Sequence, residues 1–210
     1  MVDPVVLLAL GWLAGMLSPA VIGAIKEQRE SNAVVPAIKS ELNEVSYRLV
    51  LAAYNVAMHL GTVDRALLEW VRDSLVLYQG TEPKARIAES VVLQLSLPDE
   101  QLAAYVAAEG AQGLQALVLV KFAVPFVDAR IGAWHSLAPV VRLELQATRA
   151  DIRLLDDLVD QSRSYFQLTF GKLEEPNYAI VVQNLRGVYM QYKKRCSLAA
   201  DRMHRLQGFL

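Results

Sequence analysis

LAPVVRLELQATRADIRLLDDLVDQSRSYFQLTF, residues Leu137 to Phe170, is the stretch whose spacing decides the fold class. Val141, Leu145, Thr148, Ile152, Leu155, Val159, Ser162 and Phe166 follow one another by four and three without a break. That is the period of one helix face laid against a partner. Gly171 closes the helix, and Glu175-Pro176 opens another over 176–207, with Val181, Leu185, Val188, Tyr192 and Ala199 inward.

Upstream the same period recurs. Pro125 interrupts the chain ahead of a short helix over 125–134, which carries Phe126, Ile131 and Trp134. Leu97-Pro98-Asp99-Glu100 places acids at the positive end of an Ala-rich helix expected over 98–122. Thr81-Glu-Pro83 starts a helix over 83–95 with Ile87 and Val91 inward, and Thr62 or Asp64 starts one over 63–79 with Leu67, Leu68, Trp70, Val71, Leu75 and Tyr78. Ile38, Leu42, Val45, Leu49, Ala52, Val56 and His59 form a heptad-like stripe over 34–60, with Asn32 as N-cap, Pro36 in the first turn and Gly61 as the stop. No segment alternates at period two for long enough to build a sheet. Residues 31–210 are therefore expected to form an all-α domain, a bundle of long antiparallel helices.

The N-terminal end is different. Val5–Ile25, VVLLALGWLAGMLSPAVIGAI, holds 21 residues without a charge, about 31 Å as a helix and the thickness of a bilayer's hydrocarbon core. Gly11, Gly15, Pro19 and Gly23 are tolerated in such a span. Residues 1–30 are read as a single transmembrane anchor; a cleaved signal peptide would need a basic leading region, and Asp3 stands there instead. Lys26, Arg29, Lys39 and Arg48 follow the span and hold that side in the cytosol. The expected topology is single-pass, with the N-terminus outside and the C-terminal domain cytosolic. Gly11-x-x-x-Gly15 offers a small-residue face for helix self-association.

With 21 basic and 22 acidic side chains among 210 residues, the chain has no basic excess for nucleic acid, and a mean hydropathy of +0.26 excludes disorder. The single Cys196 rules out an internal disulfide and any CxxC pair.

Asp156-Asp157-Leu-Val-Asp160 resembles the DDxxD motif of prenyl-diphosphate and terpene synthases, which are also all-helical. The resemblance covers five residues and implies Mg²⁺ held by Asp156, Asp157 and Asp160 against a diphosphate. No second acidic motif accompanies it. Arg153 and Arg163 stand three or four residues from these aspartates, which also fits a solvated row of ion pairs. His59, His135 and His204 have no Glu or His at ligand spacing. No P-loop, GxGxxG or GxSxG is present, so neither a catalytic residue nor a cofactor is expected. The last helix is locally basic: Arg186, Lys193, Lys194, Arg195, Arg202 and Arg205 are balanced only by Asp201, and Lys193, Lys194 and Arg195, with Lys26 and Arg29, are candidates for contact with anionic headgroups.

These readings lead to three functional expectations. The first is a membrane-anchored interaction, scaffold or sensor module, not an enzyme, whose partners are the bilayer through residues 5–25 and another protein or itself. The second is a Mg-dependent enzyme on isoprenoid or lipid phosphates. The third is a small membrane effector in which 114–127, LQALVLVKFAVPFV, forms a second membrane-contacting segment despite Lys121.

Overall fold

The computed structural model describes residues 34–112, 117–171 and 174–210, with Gly23 standing alone. The expected anchor, its flanking Lys26 and Arg29, and the expected Asn32 cap are outside the described residues. Among the described residues there are seven α-helices and no strand. No helix among them is long and apolar enough to cross a membrane.

Helix α1 covers residues 34–59. Ile38, Leu42, Val45 and Leu49 are buried as the heptad stripe requires, but the stripe then drifts to Ala53, Val56, Ala57 and Leu60, leaving Ala52 and His59 half-buried. An unsupercoiled helix turns every 3.6 residues, so its inward face precesses by about 20° per heptad. The helix ends in a Schellman turn. Thr62 N–H donates to Ala57 C=O at 2.9 Å and Gly61 N–H to Met58 C=O at 3.0 Å, with Gly61 at φ 65°.

Helix α2 (Arg65–Leu77) is capped by Asp64, whose carboxylate accepts from Leu67 N–H at 2.8 Å. It runs back along α1 until Tyr78 stacks on Tyr47, ring centroids 4.2 Å apart. Lys84 Nζ donates to the C=O of Leu75 and of Tyr78, at 3.0 and 2.6 Å, and so neutralises the negative end of α2. Helices α3 (Ala85–Ser96) and α4 (Asp99–Gln112) follow, α3 packed on α2.

One expectation fails here. The helix foreseen over 98–122 is described as far as Gln112, and residues 117–124 are not helical. Leu119, Phe122 and Val124 point inward while Val118, Val120 and Ala123 face out. Helix formation is one way to satisfy backbone carbonyls in a packed site; here side chains do it. Tyr189 and Tyr192 donate their hydroxyls to Leu117 C=O and Val120 C=O at 2.9 and 2.7 Å. Pro125 also biases Val124 away from helix, and Val124 sits at φ −124°.

The helix expected over 125–134 divides into α5 (Pro125–Ala129) and a 3-10 turn (Ile131–Ser136). The start of α5 is capped from α1: the Glu41 carboxylate accepts from Phe126 N–H and Val127 N–H, each at 2.8 Å.

Helices α6 (Pro139–Leu168) and α7 (Glu175–Phe209) form an antiparallel hairpin with an extensive shared contact. Every stripe position of α6 from Val141 to Ser162 is buried. On α7 the buried positions are Val188, Tyr189, Tyr192, Cys196, Ala199, Ala200, Met203 and Leu206, while Val181 and Leu185 are half-buried. The seam is fastened by Arg202, which reaches Asp151 at 2.8 Å and Glu144 at 3.0 Å. Trp70 Nε1 donates to Asp201 at 2.8 Å, joining α7 to α2.

Candidate functional site

The surface opens along α1. Two adjoining clefts of about 600 and 420 Å³ share Val45, Arg48, Ala123 and Pro125, making one continuous groove between α1 and the extended segment 117–124. Leu51, Ala52 and Asn55 form the α1 wall; Val120, Lys121 and Phe122 form the other, with Glu82 at the edge. The groove exists because 117–124 is extended: a helix there would have bonded its own carbonyls and turned part of this face away.

The rim is polar and internally neutralised. Arg48 Nη2 is 2.5 Å from Glu82 Oε1, and Lys121 Nζ is 2.7 Å from Asp160 Oδ2. Behind Glu82 the turn is held by Tyr78, whose hydroxyl donates to Glu44 at 2.8 Å and accepts from Glu82 N–H at 2.8 Å. Burial, then the bond to Glu44, pushes the Tyr78 phenol up to about 12, and burial with the nearby Glu82 and Glu44 raises Tyr47. Both phenols stay protonated near neutrality and serve as donors. Among the described residues lining the groove there is no histidine or cysteine. The lining offers shape, apolar contact and two ion pairs at its rim.

The aspartates singled out by the sequence do not converge. Asp160 is exposed and engaged by Lys121 and, at 3.6 Å, by Arg163; Asp157 is exposed; Asp156 is half-buried, its Oδ1 covered and without a hydrogen-bond partner. Among the described residues no group of three His, Cys, Asp or Glu side chains has the spacing to hold a metal ion. The Lys121 that made 114–127 awkward as a membrane segment is the same Lys that occupies Asp160.

The basic side chains of α7 divide by role. Lys193 Nζ reaches Thr62 Oγ1 at 3.2 Å and Arg186 Nη2 reaches Leu60 C=O at 3.3 Å, so both sit on the negative end of α1. Arg202 belongs to the seam, while Lys194, Arg195 and Arg205 are exposed. Cys196 is fully buried, and that burial raises its thiol well above the ordinary range. His59 packs edge-on to Tyr189, and burial lowers both it and His204, the latter against the pull of Asp201. The His135 side chain, Gly11 and Gly15 are outside the described residues.

Sequence reasoning missed Glu41, Glu44 and Tyr47, which build this face, and read Tyr78 only as an inward position of its helix. Their partners are 34 to 86 residues away in the chain, so no local spacing carries the signal. No family model, no curated protein and no solved structure matches the chain.

Proposed function

We propose that this chain is a membrane-anchored helical bundle that works as an interaction module, tethered through residues 5–25 and presenting the α1 groove to a protein partner on the cytosolic side. Binding, rather than catalysis, is the reading the lining supports. The observation that carries it is the open groove beside an extended segment whose outward residues, Val118 and Val120, are exposed valines. Contiguous apolar surface of that kind marks interaction sites more often than it decorates an inert face. The 21-residue uncharged run supports the tether.

Two measurements test this. After alkaline carbonate washing of membranes, the full chain is expected in the pellet; recovery in the supernatant removes the tether. A photo-crosslinking residue at Asn55 is expected to give one discrete adduct in intact cells, absent when it stands at exposed Glu100 on α4 and lost in the Val120→Asp variant. Equal labelling at both positions, or none at Asn55, rejects the groove.

A further inference from the structure

The segment 117–124 lies beside α1 with most of its peptide groups unpaired. Val120, Lys121, Phe122 and Ala123 line the groove, and of their peptide groups only the Val120 C=O has a partner among the described residues, the Tyr192 hydroxyl. The N–H groups of all four, and the C=O groups of Lys121, Phe122 and Ala123, bond to nothing described. Backbone donors and acceptors need a partner or water, and an exposed extended edge is a template on which a second extended chain pairs. Val120, Lys121 and Ala123 are exposed, so an incoming chain can reach this edge.

Charge narrows the choice of occupant. Arg48 is bound to Glu82, and Lys121 to Asp160. Glu41 accepts from Phe126 N–H and Val127 N–H, and Glu44 from the Tyr78 hydroxyl and, at 3.1 Å, from Thr81 N–H. Among the described residues these are the charged side chains that line the two clefts, and each is matched within the chain. A charged occupant has to break one of these pairs or meet none of them. An uncharged one leaves every pair in place.

We infer that the partner enters this groove as an extended, uncharged peptide segment and adds as a strand to residues 120–123. Its main chain pairs with theirs, and alternate side chains pack on Val45, Leu51 and Ala52 of α1. The inference names the partner for the groove reading above and rests on it. A helix is a poor occupant, because its own backbone is bonded internally and leaves the 120–123 edge unpaired. A phosphorylated or strongly basic ligand finds no free charge of the opposite sign in the lining.

The test pans the full chain in phosphatidylcholine nanodiscs with a phage-displayed library of short random peptides, after depletion on empty nanodiscs. If carbonate washing strips the chain from membranes, the panning is done in buffer, since the groove does not depend on the tether. Selected peptides are expected to alternate apolar with uncharged polar residues. Binding to the Val120→Asp variant is expected to be weaker by about tenfold, with the helical circular dichroism unchanged. N-methylation of the peptide then separates backbone pairing from side-chain contact. Successive N–H groups of a strand point to opposite edges, and the far wall of the groove is a helix with no backbone to offer. Methylating one alternate set of amides is therefore expected to weaken binding by about tenfold, and the other set by less than about twofold. Amide exchange at Lys121 and Ala123 is expected to slow by about tenfold in the complex.

Equal loss from both methylated sets, or loss from neither, overturns the inference. So does selection of charged peptides, of peptides with helical spacing, or of none above empty nanodiscs. A crosslink from Asn55 to a second copy, or into residues 1–33 of the same chain, assigns the edge to this protein itself and likewise overturns it. The two readings fail separately: a peptide that competes with the Asn55 adduct yet tolerates methylation removes only the strand, whereas absence of the adduct in cells removes the groove.

Discussion

At the scale of single residues, glycine is what the α1–α2 turn requires. Gly61 occupies φ 65°, and a Cβ on Gly110 of α4 would stand 2.8 Å from Gly61 Cα and 2.9 Å from its N, both backbone atoms. Gly110→Ala is expected to lower unfolding stability by about 1–3 kcal/mol through overpacking, read from urea midpoints. Gly187, inside α7, meets nothing within 4 Å, so Gly187→Ala is expected to raise stability by about 0.5–1 kcal/mol in the same assay. Two glycines in one chain thus give opposite signs. The histidines set a pH dependence. Burial lowers His59 and His204 from 6.5, so as pH falls the unfolded chain takes up protons first. Their contribution is complete above the ordinary value and is lost as pH falls through it towards the folded values. Urea midpoints are expected to fall from about pH 7 to pH 5, and the His59→Gln, His204→Gln double variant is expected to flatten that slope. An unchanged slope assigns it to other groups.

At the scale of elements, the segment 117–124 shows what helix periodicity does and does not decide. The four–three spacing of α6 placed Val141 through Ser162 correctly because each of those side chains has helical neighbours on both sides in sequence. An apolar run such as LVLVKFAV carries no such signature; it suits a buried helix or an extended chain equally, and distant tyrosines settle the matter. Tyr192→Phe leaves Val120 C=O without its donor and is expected to cost about 1–2 kcal/mol, with faster amide exchange confined to residues 118–124. Loss of the Lys121–Asp160 pair, both side chains well exposed, is expected to cost less than about 1 kcal/mol in a double-mutant cycle. The contrast ranks a covered carbonyl above a visible ion pair.

At the scale of the whole molecule, the proposed tether and the helical domain are expected to be separable. Deleting residues 1–30 is expected to move the protein from the carbonate-resistant pellet to the supernatant with its helical circular dichroism retained. Loss of helicity on deletion would make the N-terminal stretch part of the bundle. What the sequence determined alone was the helical class, most helix positions, the inward face of the first half of α1 and that of α6, because these follow from residue spacing over a few turns. What only the tertiary structure decided was the extended course of 117–124, the use of Glu41 as a cap for α5, the capture of Asp160 by Lys121, and the groove that results. Each of these joins groups dozens of residues apart, and their energy exists only once burial has removed the water that would otherwise satisfy them.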